Sequence, residues 1–134
     1  MKKTFGSILM AALMLMLWSF KMGDKPKPWI VPEAAKAKKS TVPSNAASIA
    51  DGKELYTTHC ASCHGKKGKG DGSKAAQLET DCGDLSSALS QKQTDGELFY
   101  KTQTGREDMP SFKKKIPDAD DIWSIVNYIR TLKP

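Results

Sequence analysis

Five consecutive residues, Cys60-Ala61-Ser62-Cys63-His64, carry the clearest chemistry in this sequence. Cys-x-x-Cys-His is the pattern at which a c-type haem is attached covalently to a polypeptide. Two thiols three positions apart lie on one helical turn, so each can add to a vinyl group on the same edge of the porphyrin. The histidine follows directly, where an imidazole nitrogen can bind the iron. We therefore predict covalent haem attachment at Cys60 and Cys63, with His64 as an axial ligand of the haem iron.

Two other uses of the cysteine pair need different surroundings. A zinc site needs more thiols or imidazoles at short spacing, and only His59 and Cys82 are available nearby. A thioredoxin-like redox pair belongs in a βαβ unit, and no such pattern is visible. Haem attachment is therefore the favoured interpretation.

A methionine in a polar loop is the candidate for the second axial ligand. Met109 lies 45 residues after His64 and is the only methionine beyond Met22. A thioether is a soft iron ligand, and its pairing with histidine raises the reduction potential. A methionine in a core is usually filler, but the neighbours of Met109 are polar. The other histidine, His59, is expected to face solvent.

Two helices are predicted to bring the haem motif into a folded core. The first should begin at Ser48, with a capping box to Asp51, and run into the motif. Gly52 lies inside it and destabilises a helix, so we expect a close crossing with another helix there. The last helix, beginning near Asp118, carries an apolar stripe at helical spacing and is the expected partner. Tyr128 on this stripe is predicted to meet the face that carries Gly52.

A third helix is predicted between these two. Thr94 begins a capping box, and Gly105 supplies a helix end. Residues 65–91 are predicted to be mostly loop, with a short helix near residues 73–78. No convincing alternating strand pattern appears, so the predicted fold class is all-α. The domain is small, and a covalently held haem would supply a large apolar plate around which it folds.

Charge is distributed unevenly along the chain. Residues 1–50 contain eight lysines and two acidic residues, which account for the whole formal charge of +6. Residues 51–134 contain 13 basic and 13 acidic residues. The folded part is therefore balanced, and no nucleic-acid partner is expected.

The first third of the chain is predicted to lie outside the haem domain. Residues 1–23 have the composition of a membrane anchor or signal segment, with an uncharged stretch at 4–20, continuously apolar over 8–18, that would enter the membrane. The absence of a small-residue cleavage site favours an uncleaved anchor, and a cleaved signal that leaves a soluble periplasmic protein is the alternative. Residues 24–47, rich in proline, lysine and alanine, are predicted to form an extended linker. Residues 48–134 are predicted to form the haem domain.

Nearly all of residues 50–132 resembles class I cytochromes c of the bacterial, short-loop kind. The resemblance is carried by the stretches GKELY (52–56), CASCHG (60–65), GKGDG (68–72), DL (84–85), MPSF (109–112) and WSIVNYI (123–129). It implies the all-α cytochrome c fold, with crossed first and last helices around one covalently bound haem c, and an iron held by His64 and Met109. In one departure, Ser73 stands where the family commonly has a proline whose carbonyl orients the haem histidine. In another, Cys82 lies in a segment that is often rich in proline, and it is either a small buried residue or a partner for a cysteine of another chain.

These features predict an electron carrier and not an enzyme. With both axial positions filled by the protein, iron has no open site for a substrate. The carrier would pass single electrons between redox protein partners on the outer, periplasmic side of the inner membrane. Lysines at 66, 67, 69 and 113–115 are expected to flank the exposed haem edge, where they either steer acidic docking surfaces or are solvated loop residues. The alternatives are a fixed cytochrome c subunit of a membrane oxidoreductase complex, and a haem ligand sensor or peroxidase-like protein in which Met109 is displaced.

Overall fold

The computed structural model describes residues 28–134, and this part of the chain is helical. Its elements are α1 (Glu33–Lys36), α2 (Ala46–His59), α3 (Ala61–His64), a 3-10 turn (Ala75–Gln77), α4 (Ala88–Gln91), α5 (Asp95–Thr104) and α6 (Ala119–Arg130). Within residues 28–134 there is no strand, only an isolated bridge between Arg106 and Met109. The predicted all-α class is confirmed, and the 3-10 turn lies where a short helix was predicted.

The predicted membrane anchor, residues 1–23, and the first four residues of the predicted linker lie outside the described residues. Among the helices of residues 28–134, none has both the length and the apolar composition needed to span a bilayer. The anchor and the domain boundaries stay predictions.

Helices α2 and α6 cross in close contact at Gly52. A Cβ atom at this position would lie 1.9 Å from the carbonyl oxygen of Ser124 and 3.0 Å from the backbone nitrogen of Ile125. Only a glycine allows the two backbones to approach this far. The predicted crossing is confirmed, but the residue that meets Gly52 is Ser124. Tyr128 lies one turn further along α6, where its ring packs on Tyr56 with 5.1 Å between ring centroids.

The helix ends follow the capping rules, with one difference from prediction. Helix α2 begins one turn early, because Asn45 is the N-cap and Ser48 takes the N3 position in a reciprocal capping box. The predicted cap at Ser48 is therefore wrong. The buried Ser48 hydroxyl is used in tertiary structure, where it accepts a hydrogen bond from Asn127 Nδ2 at 3.2 Å. The predicted capping box at Thr94 and the helix end at Gly105 are both confirmed.

The core lies mainly between α6 and the two other long helices. Ile125 is fully buried, and Trp123 is 1% exposed. The rings of Phe99 on α5 and Trp123 on α6 stack with 4.2 Å between centroids. Stacked aromatic pairs of this kind contribute about 0.5–1.5 kcal/mol beyond their buried area. This contact fixes α5 against α6, and so fixes where the loop after α5 begins.

Residues 28–43, here called the N-terminal strap, lie against the helices. The composition predicts an extended linker, whereas the structure has a helical turn, α1, and a buried Val31. The reason is a backbone contact that composition does not reveal. A Cβ atom at Gly96 would lie 2.1 Å from the carbonyl oxygen of Ala35, and the Thr94 hydroxyl donates to the carbonyl of Lys36 at 2.9 Å. The strap therefore packs against the start of α5, where Gly96 leaves room for its backbone and Thr94 donates a hydrogen bond to it.

Candidate functional site

One cavity brings together the four residues predicted to hold haem. Its volume is about 590 Å³, and Cys60, Cys63, His64 and Met109 all contribute to its wall. Cys60 lies at the junction of α2 and α3, Cys63 and His64 lie in α3, and Met109 lies in the loop between α5 and α6. Cavities of this size enclose cofactors and drug-sized ligands.

The cysteines are placed by a sharp turn at the end of α2. Cys60 is both the C-cap of α2 and the N-cap of α3. Its carbonyl accepts hydrogen bonds from the amides of Cys63 and His64 at 3.1 and 2.9 Å. Burial raises the pKa of the Cys60 thiol to about 12. A thiol that resists ionisation is a poor nucleophile for disulfide exchange, which weighs against the redox-pair interpretation.

A zinc site also finds no support in this part of the chain. Among residues 28–134, no group of three or more His, Cys, Asp or Glu side chains is arranged to hold a metal ion. The haem interpretation does not need such a group, because the porphyrin supplies the equatorial ligands of its own iron.

His64 has the properties of an imidazole that can bind a metal ion. Burial lowers its pKa, an effect that the backbone of Cys82 partly offsets, so the neutral, metal-binding form is favoured at neutral pH. Its Nδ1 atom is buried and has no hydrogen-bond partner among the described residues. A buried, unpaired imidazole nitrogen beside two thiols in one cavity is consistent with a haem site.

The backbone beside His64 is held by the loop that follows the motif. The amides of Gly70 and Gly72 donate to the carbonyls of His64 and Cys63 at 2.9 and 3.1 Å. The buried Tyr56 hydroxyl donates to the carbonyl of Gly65 at 2.8 Å. These bonds fix the position and direction of α3. They hold the His64 imidazole in the cavity wall although α3 is only four residues long.

Met109 lies half-buried in a tight turn of the α5–α6 loop and packs on the core. Its amide and carbonyl are both paired with those of Arg106, at 2.9 and 2.8 Å. The next carboxylate, Asp108, ties the turn to the opposite loop by accepting hydrogen bonds from the amides of Glu79 and Thr80 at 2.9 and 2.8 Å. A hydrogen bond from the Thr80 hydroxyl, together with these bonds from the two amides, holds the pKa of Asp108 below its usual value. The turn is therefore closed by its own backbone and tied through Asp108 to the loop at residues 79–80.

His59 does not face solvent as predicted. It is half-buried, contributes to the cavity wall, and lies edge-on to Phe112 with 6.1 Å between ring centroids. The contact with Phe112 explains the difference, because it draws the ring away from water. Cys82, predicted to be buried or paired with another chain, is half-buried in the same wall, and burial raises its pKa.

Trp29 is a member of the cavity wall that the site prediction missed. Arg106 Cζ and Lys101 Nζ lie 4.8 and 5.5 Å from the centroid of its ring. The available signal was an apolar tryptophan inside a lysine- and proline-rich segment, a composition that does not tell an interfacial residue from a docked one.

A family profile matches the helical part of the chain. The family is described as cytochrome C oxidase, cbb3-type, subunit III, and the match covers residues 47–129. No curated protein sequence matches the chain. A similar solved structure is a chain of the reducing HAO-like protein complex of Kuenenia stuttgartiensis, with 23% sequence identity and a TM-score of 0.63.

That structural alignment covers 82% of this chain and 52% of the other, so this chain spans about half the length of that relative. At this identity the similarity shows the fold alone. The family profile is the stronger finding, since it covers more than half of the chain and includes the haem-binding motif. The protein therefore belongs to the family described as cytochrome c oxidase, cbb3-type, subunit III, whose cytochrome c domain binds haem c with its iron and carries electrons without being a catalytic enzyme.

Proposed function

We propose that this protein is a monohaem class I cytochrome c that carries single electrons between redox protein partners. In this proposal Cys60 and Cys63 hold the haem by thioether bonds, and His64 and Met109 are the axial ligands of its iron. The observation that carries the proposal is the cavity that all four side chains share. The single Cys-x-x-Cys-His motif of the chain supports one haem and no more.

When bound, haem c supplies an iron that changes by one electron. The residues of the chain determine how that change is used. The neutral imidazole of His64 and the thioether of Met109 form a ligand pair that stabilises the reduced state and raises the potential. Both ligands are held by backbone hydrogen bonds, at 2.9 Å from His64 N to Cys60 O and at 2.9 Å from Met109 N to Arg106 O. A closed, rigid ligand pair favours electron transfer over substrate binding.

The ferric absorption spectra of the wild-type protein and Met109→Ala test the ligand pair. The wild type is expected to have the long-wavelength sulfur-to-iron charge-transfer band, and the variant is expected to lack it. Phe112→Leu, which changes the same wall but leaves both ligands, should keep the band. Absence of the band from the wild type would overturn the His64/Met109 assignment.

Two groups of exposed lysines favour the proposal that the redox partners have acidic docking surfaces. Lys66, Lys67 and Lys69 are all exposed on the loop after the haem motif, and residues 113–115 are exposed lysines after Phe112. Lys115 also contributes to the cavity wall. Such charges act mainly on the association rate, in a salt-dependent way.

Electron-transfer rates at rising ionic strength test this docking surface. The rate with an acidic partner should fall as salt is added, and Lys113→Gln with Lys115→Gln should lower the rate at low salt. Lys53→Gln on the exposed side of α2 is the matched control. Equal rates for all three proteins at low salt would contradict a docking role for these lysines.

The N-terminal segment supports a location on the outer side of the inner membrane. Residues 4–20 carry no charge and residues 8–18 are continuously apolar. In the class of cytochromes that the domain resembles, haem is attached to this motif on that side. Fractionation of cells that mature haem c should place the holoprotein in the membrane fraction, accessible to protease from the periplasm. Recovery in the soluble periplasmic fraction would support the cleaved-signal alternative.

A second candidate is a fixed cytochrome subunit of a membrane oxidoreductase complex. The description of the matched family and the origin of the similar structure in a protein complex favour it. Stoichiometric partner subunits should then purify with the protein after mild detergent extraction, and a protein recovered alone would favour the mobile carrier. Rapid binding of carbon monoxide to the ferrous protein would instead support the ligand sensor or peroxidase-like alternative.

A further inference from the structure

The N-terminal strap carries one aromatic ring to the cavity. Trp29 is half-buried, and its ring lies under two cations, with Arg106 Cζ at 4.8 Å and Lys101 Nζ at 5.5 Å from the ring centroid. Cations this close to the face of an indole ring are attracted by its quadrupole, most strongly where water is excluded. The ring therefore favours one position of the Arg106 guanidinium.

Arg106 is in turn joined to Met109 by backbone hydrogen bonds in both directions. Arg106 N donates to Met109 O at 2.8 Å, and Met109 N donates to Arg106 O at 2.9 Å. Between them, Glu107 has a φ of 54°, a left-handed conformation that a non-glycine residue adopts only at a cost. A turn of this kind depends on its surroundings to persist. A displacement of the Arg106 backbone would therefore displace Met109.

The strap that carries Trp29 is itself held at points far from this turn. Val31 is buried, at 4% exposure. The Thr94 hydroxyl donates to Lys36 O at 2.9 Å, and Lys38 Nζ lies 4.1 Å from the centroid of the Phe99 ring. These contacts hold the strap on α5 and the core at positions outside the turn that Trp29 contacts.

We propose that Trp29 is a positioning residue for the axial methionine. Its ring would hold the Arg106 side chain, the Arg106 backbone pairs with that of Met109, and the turn would hold Met109 where its sulfur can bind the haem iron. The inference rests on the proposed His64/Met109 ligation. Trp29 precedes the region matched by the family, residues 47–129, whereas Arg106 and Met109 lie inside it, so the device joins the N-terminal strap to the matched domain.

The rate at which imidazole binds to the ferric holoprotein tests the proposal, because an added ligand enters only when Met109 leaves. The full-length Trp29→Leu variant, which keeps an apolar side chain but has no ring, should bind imidazole about tenfold faster than the wild type. Trp29→Phe should restore most of the wild-type rate, since it keeps a ring beneath the cations. Ile30→Ala, at a neighbour that is 85% exposed, should leave the rate unchanged.

A double-mutant cycle separates this role from general stabilisation. In an Arg106→Gln background, Trp29→Leu should change the imidazole rate by less than about threefold, because the contact between the ring and the turn is already gone and the second cation, Lys101, lies on α5. An unchanged rate in Trp29→Leu, or a full tenfold effect in the Arg106→Gln background, would overturn the proposal. If Trp29→Leu fails to mature, Trp29→Phe and Arg106→Gln suffice, and Arg106→Gln with the wild-type rate would overturn it.

Failure of the underlying ligation has a different signature. A wild-type ferric spectrum without the sulfur-to-iron band would refute Met109 as ligand before any strap variant is compared. The role of Trp29 alone would be refuted if the wild type has the band and the Trp29→Leu variant has the same band intensity and the same imidazole-binding rate.

Discussion

Gly52 on α2 and Ser124 on α6 are in backbone contact, so close that a Cβ atom on Gly52 would lie 1.9 Å from the Ser124 carbonyl oxygen. This crossing sets the angle at which α2 delivers the haem motif to the cavity. Glycine destabilises an isolated helix, but at this position it is required because a side chain would prevent the two helices from crossing so closely.

Gly52→Ala should lower the free energy of unfolding by about 2 kcal/mol, because a methyl group forces the helices apart. The substitution raises intrinsic helix propensity by about 1 kcal/mol, so any net loss reports the crossing itself. Urea unfolding of the holoprotein measures the change. Lys53→Ala, at the exposed neighbouring position, is the control and should be close to neutral. A Gly52→Ala protein as stable as the wild type would mean that the helices are further apart than described.

Tyr56→Phe should cost about 1 kcal/mol of unfolding free energy, because it removes the 2.8 Å hydrogen bond from the buried hydroxyl to Gly65 O. The phenylalanine keeps the ring contact with Tyr128, whose centroid lies 5.1 Å away. Tyr56→Leu removes both interactions and should lose more. Equal stability of Tyr56→Phe and wild type would show that the bond contributes nothing to holding the loop after the haem motif.

Asp84 should make the fold sensitive to acid. The hydroxyl of Ser86 donates to its carboxylate, and this bond, more than any other, holds the pKa of Asp84 below its usual value. A lowered folded pKa stabilises the protein above the unfolded pKa of about 3.9, and that stabilisation is lost as the pH falls through the folded pKa. Asp84→Asn should therefore be less stable than wild type at pH 7, with the difference shrinking below about pH 4.

Ser86→Ala is the matched variant for Asp84, since it removes the main cause of the lowered pKa and keeps the carboxylate. Its stability should depend less on pH than that of the wild type. Unfolding midpoints across the acid range measure both variants. A constant difference between Asp84→Asn and wild type at every pH would rule out the carboxylate as the source.

Gly96→Ala should loosen the N-terminal strap and leave the core largely intact. An added Cβ would lie 2.1 Å from Ala35 O and 2.9 Å from both Lys36 O and Lys38 O. The strap amides that donate within α1 should then exchange hydrogen faster, because their helical turn loses its support. Thr104→Ala, at an exposed position near the end of α5, is the control. Unchanged exchange in Gly96→Ala would contradict the close approach of the strap.

Most of the fold that serves the site could be predicted from local sequence signals. The haem motif is contiguous, and the capping box at Thr94 and the break at Gly105 are properties of short segments. The need for a close crossing at Gly52 followed from the cost of a glycine inside a helix. Met109 stays a predicted ligand, chosen because its neighbours in sequence are polar, and the structure places it in the wall of the same cavity as the haem motif.

The remaining features depend on contacts that leave no periodic signal. In the strap, the carbonyl of Ala35 lies against Gly96, and the carbonyl of Lys36 accepts a hydrogen bond from Thr94. The positions of backbone carbonyls cannot be predicted from the pattern of side chains. Both Asn45 and Ser48 can cap a helix, and the choice depends on the tertiary bond from Asn127. Trp29 joined the cavity wall for the same reason, since only the path of the strap brings it there.

The intact mass of the protein, matured in cells that attach haem c and then denatured and extracted with acid-acetone, tests the central claim most directly. The account predicts a polypeptide heavier by one haem, and a Cys60→Ser, Cys63→Ser protein that carries none. Cys82→Ser, which changes the third cysteine, should keep the full added mass. A wild-type mass equal to that of the bare polypeptide would contradict covalent haem attachment and everything built on it.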